Sequence, residues 1–273
     1  IIKNREKVKS IENYYHCHRR RAINTNERTL ISCIQPPNRI HLRSCYSLDF
    51  DDFNEFLSFT SCSLSIIYDF IVRSVGKEDL VLDALGNLPI LPNSNLLLEV
   101  IMRSLFLNCL TKEYEDLWNT FFSNNLNLVL KFTKIDNRLK MIDRPYPWNF
   151  EKPLKNSYAR RQALVEIDVL VALLIGISFE ELISIYRTSF NVLEHNENNT
   201  WYDCQGNIVY TVSKVQCFGV STNVWTQIKN YKEGDIKIIN DNKDEIIYKA
   251  PFDKCDRVED YKTAWKHFEK VFA

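Results

Sequence analysis

Apolar positions along this chain change period several times, and each change predicts an element. In RTLISCIQPP (28–37) and RIHLRSCYSLDF (39–50), β-branched and aromatic residues recur between short polar breaks, which predicts two strands joined around a Pro36-Pro37 turn. From Phe53 the period lengthens: Phe53, Phe56, Leu57, Leu64, Ile67, Phe70 and Ile71 form one helical stripe, with Asp51 or Asp52 as N-cap and Gly76 as stop. ALGNLPILP (84–92) then closes the unit as an apolar strand or turn. The pattern is helical from Asn93 to Leu139, and Pro145, Pro147 and Pro153 make the next stretch a non-helical connector.

YARRQALVEIDVLVALLIGISFEELISIYRTSF (158–190) predicts a helical hairpin, with Gly176 closing the first helix and Ser178 to Glu181 forming a capping box for the second. Two β-hairpins follow, one around Gln205-Gly206-Asn207 and one around Asp241-Asn242, and RVEDYKTAWKHFEKVFA (257–273) is the last helix. The expected fold class is α+β. Its expected parts are a domain at 1–92, a helical connector at 93–157 ending in the Pro-rich linker, and a C-terminal region at 158–273 with the helical hairpin, β-hairpins and terminal helix.

A length of 273 residues allows two domains, and 45% hydrophobic with 26% charged residues is an ordinary globular composition. The formal charge of zero hides an asymmetry. Residues 1–43 hold ten Lys/Arg (Lys3, Arg5, Lys7, Lys9, Arg19, Arg20, Arg21, Arg28, Arg39, Arg43) against Glu6, Glu12 and Glu27, a local charge of +7 that points to a polyanionic partner. The continuous apolar run Val169–Ile177 falls well short of the roughly 20 residues a bilayer span needs. Eight cysteines without a CxxC predict reduced, mostly buried thiols and a cytoplasmic protein. The chain opens at Ile1 on a basic run without a leader, as expected of a fragment of a larger protein.

Four constellations could carry chemistry. Glu166 and Asp168 project about 200° apart on a helix, so a structural polar network involving Gln162 and Arg161 is expected of them instead of a shared proton-transfer site. His16 and His18 would share a strand face around Cys17, but no neighbouring ligands complete a tetrahedral metal site. Asp253, Asp260 and Lys262, or Asp235 and Lys237, echo the acid–lysine spacing of metal-dependent nucleases, a spacing that chance supplies in a chain this charged. Phosphate-binding glycine motifs and nucleophile elbows are missing. No catalytic residue, metal ligand or cofactor loop is therefore assigned. What remains is the basic, aromatic N-terminal third. The candidate DNA-contacting residues are Arg19, Arg20 and Arg21, then Gln35, Asn38, Arg39, His41 and Arg43 in QPPNRIHLRS, and Arg73 and Lys77 in VRSVGK. Such side chains neutralise phosphates or read base edges.

Two blocks carry a resemblance. LISCIQPPNRIHLRSCYSLDF, with FLSFTSCSLSIIYDFIVRSVGKEDLVLDALGNLPI, resembles the target-recognition domain of restriction-modification enzymes. RRQALVEIDVLVALLIGISFEELISIYRTSF, with TWYDCQGNIVYT and APFDKCDRVEDYKTAW, resembles the C-terminal region of adenine-specific DNA methyltransferases of the type IIG and the DISARM- or BREX-like phage-defence kinds. The resemblance implies a target-recognition-type α/β domain followed by a helical region with β-hairpins. It implies duplex DNA as partner, with Pro36, Pro37 and His41 near the DNA and Arg73, Ser74, Gly76 and Lys77 at the close of the helix. S-adenosylmethionine would belong to an upstream methyltransferase region of the same protein, because the NPP[YF]-type catalytic motif does not occur here; other defence-system subunits are further implied partners. The alternative readings are a non-DNA scaffold or protein-interaction module and a metal-dependent nuclease.

Overall fold

A computed structural model describes residues 13–213, 218–239 and 245–272. Lys3, Arg5, Lys7 and Lys9 of the basic run, Cys217 and the expected turn at Asp241-Asn242 lie outside the described residues. Strands β1 (Tyr15–Arg19), β2 (Ser32–Gln35) and β3 (Cys45–Leu48) form an antiparallel sheet in the order β2-β1-β3. Both predicted strands are present, but they do not pair with each other. Each runs antiparallel to β1 on opposite sides of it, so they run parallel to one another and cannot be joined by a tight turn. Residues 36–44 are therefore a crossover, leading from Gln35, opposite Tyr15, to Cys45, opposite Arg19. Tyr15 and Cys17 are buried on the face it covers, and the Tyr15 hydroxyl donates to the Arg39 carbonyl at 2.6 Å. The other face of β1 turns His16 and His18 toward the helices, His16 meeting Phe59 edge-on at 5.1 Å.

The stripe over 53–75 is two helices, α1 (Phe53–Cys62) and α2 (Ile66–Val75), bent by 83°. The break falls at Ser63-Leu64-Ser65, where serine hydroxyls offer the backbone other partners: Ser63 donates to Thr60 O, and Ser65 caps α2 through Tyr68 N. Asp52 caps α1, and Gly76, at φ 68°, closes α2. A short helix α3 (Leu82–Leu85) runs into the start of 84–92, whose next residues form a turn at Gly86-Asn87 and then irregular chain. The helical stretch predicted to Leu139 ends earlier. Helix α4 (Asn95–Asn108), a 3-10 turn (Lys112–Tyr114) and α5 (Glu115–Ser123) are followed by irregular chain tied down by a Leu130–Ile142 bridge. The helical hairpin is present as α6 (Ser157–Ile175) and α7 (Phe179–Ser189), with Gly176 left-handed and both halves of the Ser178–Glu181 capping box formed. Helix α8 (Asn191–Asn198) follows, which the pattern did not predict. The C-terminal part holds hairpin β4 (Trp201–Tyr202)/β5 (Ile208–Tyr210), helix α9 (Thr222–Ile228), hairpin β6 (Asp235–Ile239)/β7 (Glu245–Lys249) and helix α10 (Arg257–Phe272).

Helix α6 lies between α4 and α10, which is why its apolar residues are not confined to one stripe. The main core draws buried residues from Leu30 to Phe190 and again from Tyr261 to Phe268. A second, smaller core (Val209, Trp225, Ile228, Ile236, Tyr248) holds the hairpins together. No single helix among the described residues is long and apolar enough to cross a membrane.

Glu166 and Asp168 leave α6 on opposite sides, as their spacing requires. Glu166 accepts from Arg103 Nε and Thr133 N, both at 2.8 Å, and from Gln162 Nε2 at 3.2 Å. Asp168 accepts from Ile66 N (2.8 Å), Arg257 Nη2 (2.7 Å) and the Tyr261 hydroxyl (2.6 Å). Arg161 pairs with Asp260 and Glu197, and Glu197 also receives Arg257 at 2.6 Å. Burial pushes the Arg257 guanidinium toward neutrality, but Glu197, Tyr261 and Asp168 outweigh it and hold its pKa well above the usual value. The network ties α2, α4, α8 and α10 to α6.

Candidate nucleic-acid interface

The ten predicted DNA-contacting side chains divide into three groups. Arg20, Arg21 and Arg43 come together, lining with Ser44 and Asp79 an open concavity of about 360 Å³ at the sheet edge. The backbone builds this meeting point: Arg20 N donates to Ser44 O at 2.9 Å, and Leu80 N donates to Arg20 O at 2.6 Å. Arg20 grips Asp79 with Nε at 3.2 Å and Nη2 at 2.9 Å. The Arg21 side chain is 69% exposed and only loosely paired, with Glu78 at 3.8 Å and Asp79 at 3.7 Å. Arg43 is exposed and has no ion-pair partner among the described residues.

Asn38, Arg39, His41, Gln35 and Lys77 form the second group. Asn38 adopts a left-handed φ of 58° at the head of the crossover, and Arg39 reaches Glu113 at 3.3 Å; both are exposed. His41 instead braces the crossover from within, donating from Nδ1 to Leu42 O and meeting Ser47 Oγ with Nε2, each at 3.0 Å. Gln35 is half-buried at the end of β2, and Lys77 pairs with Asp83 at 3.2 Å in solvent.

Arg19 and Arg73 form the third group and are corrections, because both point inward. Arg19 Nη2 donates to the carbonyls of Arg28 and Thr29. The Arg73 side chain is 10% exposed. It pairs with Asp69 at 3.1 Å, donates to the carbonyls of Ser189, Asn26 and Glu27, and stacks on Phe190 at 4.2 Å. The Arg73 guanidinium, with Nε, Nη1 and Nη2 all committed, has no donors left to grip a phosphate.

Sequence reasoning missed the apolar half of the crossover. Ile40 is 84% exposed and Leu42 81%. Because the segment crosses over the sheet, both project outward beside Arg39 and Arg43. Among the described residues, Arg20, Arg21, Arg39 and Lys77 pair with Glu78, Asp79, Asp83 and Glu113, and Arg43 has no ion-pair partner. Solvent-exposed pairs contribute about 0–1 kcal/mol each, so an incoming phosphate can displace them at small cost.

The other constellations are held mostly by contacts within the fold, although His16 Nδ1 is buried without a hydrogen-bond partner among the described residues. His18 Nε2 lies 3.0 Å from Leu80 O and must donate to it, which leaves Nδ1 to accept from His16 Nε2 at 3.1 Å. Burial lowers both pKa values, that of His18 to about 4. No group of three or more His, Cys, Asp or Glu among the described residues is arranged to hold a metal ion. Of the nuclease-like residues, Asp260 is paired with both Lys134 and Arg161, Asp253 with Arg138 and Lys237 with Glu245. A larger concavity of about 450 Å³ is lined by Arg28, Arg161 and Arg257, which are paired with Asp69, Asp168, Glu197 and Asp260, and also by Arg160, which donates to the carbonyls of Leu107 and Leu154, and by Lys155. No protein-family model, curated protein or solved structure matches the chain.

Proposed function

We propose that this chain is a recognition module for duplex DNA, acting as the C-terminal part of a restriction-modification or phage-defence adenine methyltransferase. The S-adenosylmethionine chemistry would be supplied by an upstream region of the same protein, and other defence-system subunits would be further partners. The observation that carries the reading is the concavity of Arg20, Arg21 and Arg43 at the foot of an exposed crossover bearing Asn38 and Arg39. Arginines at the sheet edge would neutralise phosphates, while Asn38 and Arg39 have the donors and acceptors that distinguish base edges. With Arg21, Arg39 and Arg43 as contacts, log affinity would fall with log salt at a slope of about −3, at roughly −0.9 per phosphate.

The test is a gel-shift titration of a duplex at several salt concentrations. Arg43→Glu should weaken binding about tenfold and reduce the slope by about 1, and Arg39→Glu should act similarly. A folded protein that does not bind duplex at low salt, or Arg39→Glu and Arg43→Glu variants with unchanged affinity, would overturn the reading. The exposure of Ile40 and Leu42 favours a second reading, a protein-docking module. In that case Ile40→Asp would abolish partner capture while duplex binding stays absent.

A further inference from the structure

Three cysteines meet on the crossover face of the sheet. Cys17 lies on the central strand and is 4% exposed, Cys33 is its direct register partner on β2 and exposed, and Cys45 lies on β3 opposite Arg19. Arg19 N donates to Ile31 O, which makes that register pair a hydrogen-bonded one. Such pairs alternate along an antiparallel ladder, so Cys17 and Cys33 are also a bonded pair, with Cα atoms about 5.5 Å apart. That is the separation disulfides favour, about 5.5–6 Å. Cys45 is diagonal to Cys17, because Ser47 stands directly opposite it. Diagonal neighbours lie about 7–8 Å apart, at or past the limit of roughly 7 Å for a bridge.

We infer that Cys17 and Cys33 form an oxidation site, which a hydroperoxide converts to a cross-strand disulfide at the foot of the crossover. The roles of the two sulfurs differ. The neighbouring Cys33 sulfur and burial, with a smaller contribution from Cys45, raise the Cys17 pKa, while the neighbouring Cys17 lowers that of Cys33. Cys33 is thus the exposed sulfur with thiolate character, and it attacks one peroxide oxygen; the O–O bond breaks, hydroxide leaves and Cys33 becomes a sulfenic acid. The adjacent Cys17 sulfur then attacks the sulfenic sulfur, the S–O bond breaks, and the departing hydroxide takes the Cys17 proton as water. Two thiols lose two electrons and two protons, and one peroxide becomes two waters. The bond staples β2 to β1 under residues 36–44.

The test exposes the reduced chain to hydrogen peroxide, blocks remaining thiols by alkylation, and maps peptides by mass spectrometry without reduction. The expected product is a Cys17–Cys33 linked peptide, with the chain lighter by two hydrogens and dithiothreitol restoring its mass. Cys33→Ser, a change at an exposed position, should abolish the link, whereas Cys45→Ser should leave it. Exposed Cys204 serves as a comparison site, since Cys33 should oxidise first. Full alkylation of Cys33 after peroxide, a Cys17–Cys45 link in its place, or a link that disappears in Cys45→Ser would each overturn the assignment.

Discussion

Replacing Asp168 with alanine removes a carboxylate that three donors from two other parts of the chain converge on, all in a fully buried setting. Ile66 N, at the first turn of α2, loses its acceptor, and an unsatisfied buried donor costs about 1–3 kcal/mol. Arg257 loses one of its two carboxylates. Breaking a buried ion pair by deleting one partner costs roughly 3–5 kcal/mol, a figure reduced here because Glu197 still holds the same guanidinium at 2.6 Å. The two effects share one side chain and do not simply add, so a loss of about 4 kcal/mol is expected. At roughly 2–4 °C per kcal/mol for a chain of this size, the midpoint should fall by about 8–16 °C.

The assay is urea unfolding followed by far-UV circular dichroism, with a calorimetric scan as a second measurement. Asp168→Asn separates charge from shape. Its Oδ1 can still accept from Ile66 N, but an amide NH₂ would face the Arg257 guanidinium, so more than half of the alanine loss should remain. If alanine and asparagine each cost less than about 1 kcal/mol, the network is not what joins α6 to α2 and α10, and the argument fails.

Two further stability predictions follow from the same reasoning. His18 titrates near pH 4 in the fold, and the lowered group is neutral when buried. Its stabilisation is complete above the unfolded value of about 6.5 and is lost as pH falls toward the folded value, because the unfolded chain binds the proton first. About 2 kcal/mol should disappear between pH 6.5 and 5, above the range of most carboxylates; unfolding free energies that stay flat across that window would refute the buried neutral relay. Arg73→Ala should cost about 3 kcal/mol in denaturant unfolding by leaving Asp69 and three carbonyls short of donors. It should leave the duplex affinity of the folded fraction unchanged, and a DNA-specific defect with normal stability would show the side chain to be a contact after all.

What could be read from the sequence was local. Asp52, Gly76, Gly176 and the Ser178–Glu181 box act within one turn of the backbone, and each stands where its chemistry predicts. Strand β1 was hidden by its own function in the core. His16 and His18 fill inward positions normally held by aliphatic residues, joined to each other by one hydrogen bond, with His18 also bonded to Leu80 O. YHCHR therefore carries no apolar alternation, and without β1 the two visible strands were paired with each other. A second feature was illegible for a related reason: α6 packs on α4 and α2 across long stretches of chain, a partnership that no local pattern records.

That one missed strand decides how the candidate site is read. In a hairpin the Pro36-Pro37 turn would be the tip, and the side chains around it would project together into a groove. In a crossover the same residues lie along β1, so Arg39 stands near the Tyr15 end and Arg43 near the Arg19 end, roughly 13 Å apart at about 3.4 Å per residue of strand. Two arginines at that separation, with Ile40 and Leu42 exposed between them, suit a surface that straddles phosphates along a duplex better than one tip entering a groove. If the proposed duplex binding holds, the two charge reversals would act on different phosphates in this geometry, so their effects on affinity should add within about 0.5 kcal/mol in the double variant. A hairpin tip, with both side chains on one phosphate cluster, would give a double variant no weaker than the stronger single one.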